Sequence, residues 1–278
     1  MFHFRSKKND ELKGKANQIR QTVIEMLAEA GSGHTAGSLG MADIFTALYF
    51  GGILKYESKN PDWPDRDRLI LSNGHICPVL YATMAHAGYF LVEECLTLRK
   101  FGSRLQGHPE REKLPGVETT SGPLGCGLGQ AAGVAYGARM DRKTFRVFCL
   151  MSDGEQDEGN TWESAMFCGK NKLTNLTALI DRNNIQIDGK TEDTMPLEPL
   201  REKYEAFGWQ VLEIDGHNFD EIITSFERAR GIIDKPVLII AHTIPGKGLK
   251  EIEGDFKWHG NSPTKTQAEK FIKELKNA

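Results

Sequence analysis

The sequence predicts a three-layer α/β fold in which helices cover both faces of a mainly parallel β-sheet. Five short apolar segments alternate along the 278-residue chain with segments of helical periodicity, and such alternation is typical of βαβ units with parallel strands. The strand segments are almost continuously apolar, as expected for strands buried on both faces. In this class of fold, ligands bind at the carboxyl ends of the strands, so we expect the functional residues directly after those segments.

Local signals support each element. Apolar residues recur at helical spacing from Asp10 to Ala30, and Gly31 follows as a helix C-cap. The predicted strands are 68–71, 146–151, 176–180, 209–214 and 236–241. The predicted helices are 10–30, 41–50, 78–88, 91–101, 127–141, 160–171, 198–207, 219–231 and 264–277. Because no repeat or linker divides the chain, we expect one domain over residues 1–278, with an N-terminal helical segment at residues 10–50.

Composition narrows the class of protein. The net charge of −3 and the isoelectric point near 6.3 give no reason to expect nucleic acid or an anionic membrane as a partner. The five cysteines form no CxxC pair, which argues against a disulfide framework or a zinc site. The first residues become charged too early for a signal peptide, and no apolar stretch approaches the length of a membrane span. We therefore expect a cytoplasmic protein.

Two loops that follow predicted strands carry candidate metal ligands. Asp153 follows one strand, and Asn183 and Ile185 follow the next. If these strands are parallel neighbours, the Asp153 carboxylate, the Asn183 amide oxygen and the Ile185 backbone carbonyl meet at one edge of the sheet. Oxygen ligands with a single charge suit a hard cation such as Mg²⁺, whose other ligands would be phosphate oxygens and water.

The same loops offer groups for a phosphate. Gly154 would let the backbone approach it closely, and the helix that begins near Glu155 would provide N–H donors. Either loop alone would more often be an ordinary turn. Together, an Asp-Gly and an Asn-Asn pair that each end a buried strand resemble the signature of thiamine-diphosphate enzymes, in which Mg²⁺, or Ca²⁺ or Mn²⁺ in its place, holds the diphosphate. Ser152 departs from that pattern, since a Gly usually precedes the Asp, but the ligand itself is retained.

Longer motifs narrow the resemblance to one family. From about Ala28 to His259 the chain resembles the N-terminal half of transketolase. The matching segments, in the family's order, are SGHTAGSLGMADIFTALYF, DRLILSNGHICPVLYA, GHPE, TTSGPLGCGLGQAAGVA, MSDGEQDEG, IDRNNIQIDG, EAFGWQVLEIDGH and KWHG. The resemblance implies a thiamine-diphosphate-binding fold with the diphosphate-binding domain. It also implies a transferase that moves a two-carbon ketol unit from a ketose phosphate to an aldose phosphate, as in pentose phosphate metabolism.

Four histidines lie in these motifs, namely His34, His75, His108 and His259. The resemblance implies that they line the channel to C2 of the cofactor, and that His75 and His259 also contact the cofactor. Ketol transfer needs donors for an alkoxide and a group that exchanges a hydroxyl proton, and histidine does both near neutral pH. The remaining histidines are predicted to be structural, with His217 the closest case because its DGH tripeptide recurs in the family; they are His3, His86, His217 and His242.

The GPLGCG loop at residues 122–127 resembles the family's cofactor loop. The resemblance places Gly122, Pro123 and Leu124 against the pyrimidine and the diphosphate, together with Gly154, Glu155 and Asn183 from the two metal loops.

Three positions depart from the family pattern. Cys126 stands where the family usually has Gln, Pro245 where some relatives have a Lys that contacts the cofactor, and Thr35 where a Pro usually follows the first histidine. These departures would alter affinity or substrate preference without removing the metal site. Glu158 matches an acidic residue that lies between paired cofactor sites in the family, although a charge in the first turn of a helix explains it equally well.

A glycine motif offers a competing interpretation. Residues 127–132 match GxGxxA, a variant of the dinucleotide-binding fingerprint. The true fingerprint follows a strand directly and leads into a helix. Here the preceding residues contain Pro and several Gly and predict no strand, so we do not favour a dehydrogenase.

The resemblance also predicts a partner subunit. In transketolase the pyrimidine-binding half follows the WHG motif, and it carries the glutamate that activates the cofactor. We therefore expect the C-terminal half on a second polypeptide, an α2β2 assembly, and no activity of this chain alone. Alternatives are a subunit for a branched or deoxy sugar phosphate, a relative of deoxyxylulose-phosphate synthase, and a non-catalytic cofactor-binding paralogue. GHPE, EAFGW and WHG favour transketolase over the synthase, and the Asp153–Asn183 pair disfavours the paralogue.

Overall fold

Parallel strands form the centre of the molecule. A computed structural model describes residues 2–277, with side chains from Lys8 onward. The strands are β1 (Arg68–Leu71), β2 (Val147–Ser152), β3 (Leu176–Arg182), β4 (Ile185–Gln186), β5 (Gly189–Lys190), β6 (Gln210–Asp215) and β7 (Val237–His242). Five of them form one parallel sheet in the order β1-β2-β3-β7-β6, and β4 and β5 form a short antiparallel hairpin.

Helices cover both faces of this sheet. They are α1 (Phe2–Ala30), α2 (Thr35–Gly40), α3 (Ala42–Phe50), α4 (Cys77–His86), α5 (Gly127–Met140), α6 (Gly159–Lys170), α7 (Thr191–Thr194), α8 (Leu200–Ala206), α9 (Phe219–Gly231) and α10 (Lys265–Lys276). Short 3-10 turns lie at Gly74–Ile76, Val92–Thr97, Gly154–Asp157 and Phe256–Trp258. The predicted three-layer α/β class is confirmed.

The two faces of the sheet bury different apolar sets, because successive strand residues point in opposite directions. On β2, Phe148 and Leu150 belong to the cluster that includes α1, α3, α4, α9 and α10. Val147, Cys149 and Met151 belong to the cluster formed with α5, α6 and α8. All six residues of β2 are buried, which explains why its sequence is continuously apolar rather than alternating.

The path of the chain makes β2 and β3 neighbours. From β1 to β2, β3 and then β6 the chain advances in one direction across the sheet, and the helices that lead into these strands, α5, α6 and α8, lie on one face. The return from β6 to β7 places α9 on the other face, as right-handed crossovers require. Ser152 of β2 pairs with Asp181 of β3, so the loops after both strands leave the sheet at the same edge.

Some predicted elements are wrong in detail. Residues 91–101 form only a 3-10 turn at Val92–Thr97 rather than a helix. The chain reverses at Arg99, which has a positive φ of 60° and whose backbone N–H donates to the Leu105 carbonyl (2.9 Å). The apolar residues that suggested a helix instead pack the inside of a compact turn, where Leu98 is buried.

Other elements went unpredicted. A separate short helix, α2, precedes the helix predicted at 41–50, and the break falls at Met41. The β4–β5 hairpin and α7 were also missed, because two-residue strands and a single helical turn are too short to show any periodicity. Within residues 2–277, no helix is long and apolar enough to cross a membrane.

Candidate functional site

Asp153 lies at the end of β2 and is 1% exposed. Its Oδ1 accepts a hydrogen bond from the Gly154 N–H (2.7 Å), and its Oδ2 accepts from the Asn184 N–H (2.7 Å) and from Arg182 Nη1 (3.2 Å). Burial raises the pKa of this carboxyl, while the two N–H donors and the Arg182 charge oppose that rise. The carboxylate is therefore held in one orientation by donors from both metal loops.

Asn183 follows β3 and is oriented by a residue that the sequence interpretation did not single out. Its Nδ2 donates to Asp181 Oδ2 (2.9 Å), and its Oδ1 accepts from the Ile185 N–H (3.0 Å). Asp181 in turn accepts a hydrogen bond from the Thr243 hydroxyl, at the end of β7. Burial, together with the nearby Asp153 charge, raises the pKa of Asp181 to about 7, against the effect of these hydrogen bonds.

The signal that could have identified Asp181 is its place two residues before Asn183, because alternate residues of a strand share a face. Thr243 offered no such signal, since it reaches this point only through the pairing of β3 with β7.

The loop after Asn183 forms one wall of the site. Ile185 begins β4, and the β4–β5 hairpin brings Gln186, Ile187 and Asp188 into the lining of a cavity that Asp153 and Asn183 also line. These three residues belong to the IDRNNIQIDG motif but were not predicted as site residues. A Cβ added at Gly154 would lie 2.9 Å from Gln186 Oε1, so the two metal loops approach each other closely at this position.

The four motif histidines come together although they are distant in the sequence. The ring centroids of His34 and His75 are 4.9 Å apart, those of His75 and His259 5.3 Å, and those of His34 and His259 5.6 Å. His108 lines the same cavity. The other histidines with described side chains lie elsewhere and have polar partners: Thr22 for His86, Asp43 for His217 and Glu213 for His242. The side chain of His3 lies outside the described ones.

These four rings are predominantly neutral near pH 7. Burial lowers the pKa of each of them. The pKa of His34 falls to about 4, because burial disfavours the charged ring and the charge of Arg99, together with any charge on His259 and His108 when they are protonated, repels it. Neutral imidazoles each carry one donor and one acceptor nitrogen, so the cluster can both donate to an oxyanion and accept a hydroxyl proton.

The 122–127 loop reaches the site only in part. Gly122 and Leu124 line the cavity, whereas Pro123 is exposed and lies outside its lining. Gly122 lies near the ring of His108, with a distance of 3.7 Å from its built Cβ position to the ring Cγ.

Glu155 also lies outside the cavity lining. Its fully buried carboxylate accepts hydrogen bonds from the Ser72 hydroxyl, the Gly125 N–H (2.7 Å) and the Ser152 N–H (3.1 Å). Its side chain joins the cofactor-like loop to the ends of β1 and β2, and so supports the site rather than facing it.

Most of the predicted site residues share one cavity of about 290 Å³. Its lining consists of His34, His75, His108, Gly122, Leu124, Ser152, Asp153, Gly154, Asn183, Ile185, Gln186, Ile187, Asp188 and His259. One wall is therefore polar and anchored to strand ends, and the other is a cluster of neutral histidines.

Cys126, Thr35 and Pro245, which depart from the motifs, and Glu158, which matches them, lie outside the lining of this cavity. Cys126 precedes α5 and its sulfur lies 3.8 Å from Asn160 Nδ2. Thr35 begins α2, and its hydroxyl donates to the Asn261 carbonyl (2.6 Å). Pro245 lies in the loop after β7, where Gly246 N–H donates to the Ala36 carbonyl (2.8 Å). Glu158 is exposed at the start of α6.

Fold and site together define a thiamine-diphosphate-binding domain of the transketolase type. Residues 12–277 match the family model described as "Transketolase, thiamine diphosphate binding domain", and the chain belongs to that family.

Two curated relatives match along nearly their whole length. The chain is 42% identical over 270 residues to the 6-deoxy-6-sulfo-D-fructose transketolase subunit SqwG of Clostridium sp. (strain MSTE9), covering 97% of this chain and 98% of the relative. It is 42% identical over 265 residues to an apulose-4-phosphate transketolase subunit of Phocaeicola vulgatus, covering 95% of this chain and 93% of the relative. These relatives confirm the prediction of a transketolase-type transferase subunit.

A solved structure confirms the fold. The crystal structure of transketolase from Campylobacter jejuni superposes with a TM-score of 0.88 at 36% identity, over 96% of this chain. The chain spans 42% of that longer transketolase.

The residues of the cavity fit a thiamine-diphosphate group. Several buried polar side-chain atoms have no protein partner among the described residues: His34 Nδ1, both amide atoms of Asn73, and the hydroxyls of Thr119 and Ser121. His34 lines the cavity, and Ser121 directly precedes a lining residue in the chain. Buried polar atoms are normally satisfied, so His34 Nδ1 in the cavity lining suits a polar ligand, whereas Asn73, Thr119 and Arg146, whose Nε also has no described partner, lie outside that lining. Among the side chains of residues 8–277 no cluster of three or more His, Cys, Asp or Glu could hold a metal ion by itself, so a cation would also need amide, carbonyl and diphosphate oxygens.

Proposed function

We propose that this chain is the diphosphate- and metal-binding subunit of a two-subunit transketolase, which transfers a two-carbon ketol unit between sugar phosphates. The observation that carries the proposal is the convergence of Asp153, Asn183 and the motif histidines on one cavity at the carboxyl ends of β2 and β3. The full-length match to two proteins named as transketolase subunits supports it.

The metal site is part of this proposal. The Asp153 carboxylate, the Asn183 amide oxygen and the Ile185 carbonyl would bind Mg²⁺, and Ca²⁺ or Mn²⁺ would substitute for it. The mixed oxygen donors support this choice, because hard cations prefer carboxylate, amide and carbonyl oxygens. Gly154 lines the cavity beside Asp153 and has no side chain that would keep a diphosphate away from the backbone there.

The histidines would donate protons to the sugar and accept protons from it. Bound thiamine diphosphate supplies a carbanion at C2 that adds to a ketose carbonyl. Neutral His34, His75 and His259 form a compact triangle, with ring centroids 4.9 to 5.6 Å apart. From there an N–H can donate to a developing alkoxide, and an unprotonated nitrogen can accept the hydroxyl proton that leaves when the C2–C3 bond breaks.

A partner subunit is required by this proposal. In the split form, a C-terminal transketolase subunit would supply the pyrimidine-binding domain, in an α2β2 assembly. Both relatives that match end to end are named as subunits of a transketolase, which supports a divided enzyme. A cytoplasmic location is proposed with it, since all five cysteines are free thiols and four of them are buried.

Reconstitution tests the function directly. The chain would be assayed alone and after mixing with the neighbouring-gene product that carries a pyrimidine-binding domain, with Mg²⁺, thiamine diphosphate, xylulose 5-phosphate and ribose 5-phosphate. We expect ketol transfer only from the mixture. Turnover by the chain alone would contradict the split arrangement, and an inactive mixture across a panel of ketose donors would contradict the activity.

A modified sugar is the second candidate substrate. The two relatives that match end to end carry names that specify 6-deoxy-6-sulfo-D-fructose and apulose-4-phosphate. The donor panel should therefore include both compounds. A kcat/KM for either that exceeds the value for xylulose 5-phosphate by more than about tenfold would identify a specialised enzyme.

A further inference from the structure

The segment that carries His259 lies apart from the strands that build the rest of the site. We name residues 255–263 the His259 segment. It begins with the 3-10 turn at Phe256–Trp258 and ends where Thr264 caps α10. The turn contacts α2 and β5, so the segment crosses from one side of the cavity to the other and brings His259 into its lining.

The internal hydrogen bonds of the His259 segment fix its shape but not its position. The Lys257 N–H donates to Asp255 Oδ1 (3.0 Å), and the His259 N–H donates to the Phe256 carbonyl (2.8 Å). The ring of Trp258 packs against Phe271 of α10, with centroids 5.8 Å apart. This packing ties the segment to α10, and aromatic packing is far less directional than a hydrogen bond.

One hydroxyl connects the His259 segment to α2, the helix that directly follows His34. Thr35, fully buried at the first position of α2, donates from Oγ1 to the Asn261 carbonyl at 2.6 Å. Among the described residues, no other hydrogen bond links the His259 segment to any residue between 8 and 249. Thr35 directly follows His34, and Asn261 lies two residues after His259.

We infer that Thr35 is a positioning residue that holds His259 against His34 and His75. Its hydroxyl sets the distance between α2 and the His259 segment, and thereby the separation of 5.6 Å between the ring centroids of His34 and His259. The catalytic meaning of that separation rests on the proposed function, but the contact itself does not. Loss of the hydroxyl would leave the Asn261 carbonyl without its donor and allow the segment to move away from the cavity.

Three substitutions separate the hydroxyl from the rest of the side chain. Thr35→Val keeps the shape and removes the donor. Thr35→Pro also removes it, in a position where proline suits the helix, because the first helical N–H has no partner in an α-helix. His34 has φ −111° and ψ 103°, an extended conformation that a following proline favours. Thr35→Ser keeps the hydroxyl and serves as the matched control.

Limited trypsin digestion of the full chain reports on the position of the His259 segment. Cleavage after the exposed Lys257 requires local opening. We expect Thr35→Val and Thr35→Pro to accelerate this cleavage about fivefold, which corresponds to the loss of one typical hydrogen bond. Thr35→Ser should stay within about twofold of the parent rate. Cleavage after the exposed Lys172, in the turn between α6 and β3, is the internal control and should not change.

Nuclear magnetic resonance of histidine-labelled protein gives a direct measure of the ring geometry. The short separation of the His34 and His259 rings should give a nuclear Overhauser effect between their ring protons, which is retained in Thr35→Ser and weakened in Thr35→Val and Thr35→Pro. Unchanged cleavage together with an unchanged Overhauser effect in both hydroxyl-free variants would overturn the inference. Neither readout uses turnover, so failure of ketol transfer in the reconstituted enzyme would count against the proposed function and not against this contact.

Discussion

The two walls of the cavity are built in different ways. Asp153 and Asn183 follow adjacent paired strands, and each of their side-chain oxygens accepts at least one described hydrogen bond. The histidines are carried by four separate loops or turns. Within the described residues, none of the four belongs to a side-chain ion pair, and His34 Nδ1 has no hydrogen-bond partner.

We call the wall with Asp153 and Asn183 the metal wall, because it carries the proposed metal ligands, and the other the histidine wall. The side chains of the metal wall are already oriented by hydrogen bonds, whereas those of the histidine wall are not. On the wall of Asp153 and Asn183, main-chain N–H groups and neighbouring side chains hold the proposed metal ligands in fixed orientations. On the histidine wall, burial without compensating charge keeps the rings neutral and leaves polar atoms free for a ligand. A substitution on the metal wall should therefore change the affinity for the cofactor. A substitution on the histidine wall should change how the protein responds to pH.

The largest effect is expected at Asp153. Asp153→Ala removes the one charged ligand of the proposed metal site, and we expect the affinity for thiamine diphosphate in the presence of Mg²⁺ to fall by at least about 100-fold. Isothermal titration calorimetry with and without Mg²⁺ measures it. Asp157→Asn, an exposed carboxylate of the following turn, is the matched control and should stay within about twofold. Equal affinities for parent and Asp153→Ala would remove the metal site from this wall.

A smaller effect is expected from the support of Asn183. Thr243→Val removes the hydroxyl that donates to Asp181, and Asp181→Asn replaces an acceptor of the Asn183 amide by a mixed donor and acceptor. We expect each substitution to weaken Mg²⁺-dependent cofactor binding by about tenfold, measured by the same calorimetry. Thr243→Ser retains the hydroxyl and should bind as the parent does. If Thr243→Ser and Thr243→Val weaken binding equally, the hydroxyl does not support the ligand.

The metal wall was largely predictable from the sequence, and the reason is topological. A carboxylate after one buried strand and an amide after the next need only parallel neighbouring strands to meet, and the pairing of Ser152 with Asp181 provides them. Thr243 was missed because its role depends on the neighbour relation of β3 and β7, which reverses the chain order, whereas the place of Asp181 two residues before Asn183 was a usable signal. Spacing in the sequence does not determine which strand returns to the centre of a sheet.

The histidine wall could not be derived from spacing at all. His34, His75, His108 and His259 are separated by long stretches of chain, and only the family resemblance indicated that they meet. The structure brings three of their rings within 5.6 Å. Pro123 and Glu155 show the limit of that resemblance, because both belong to matching motifs yet lie outside the cavity lining. A motif identifies the loop, but burial and hydrogen bonding decide which of its side chains face the cavity.

The last prediction concerns the histidine wall and the pH dependence of the free energy of unfolding. The pKa of His34 is about 4 in the fold and about 6.5 in the unfolded chain. Between these values the unfolded state binds more protons, so the free energy of unfolding falls as the pH is lowered through that window. At pH 5 this histidine alone would cost about 2 kcal/mol relative to pH 7.5.

His34→Gln removes that titration, and its unfolding free energy should fall about 2 kcal/mol less than that of the parent between pH 7.5 and pH 5. Urea denaturation followed by circular dichroism at several pH values measures the difference. Above pH 7.5 both proteins should show the same pH dependence, because His34 is neutral in the folded and the unfolded state there. If the free energies of unfolding of the parent and His34→Gln fall in parallel across the whole acidic range, other groups in the fold already stabilise the protonated His34 ring. The histidine wall would then be as preorganised as the metal wall, and the contrast between them would disappear.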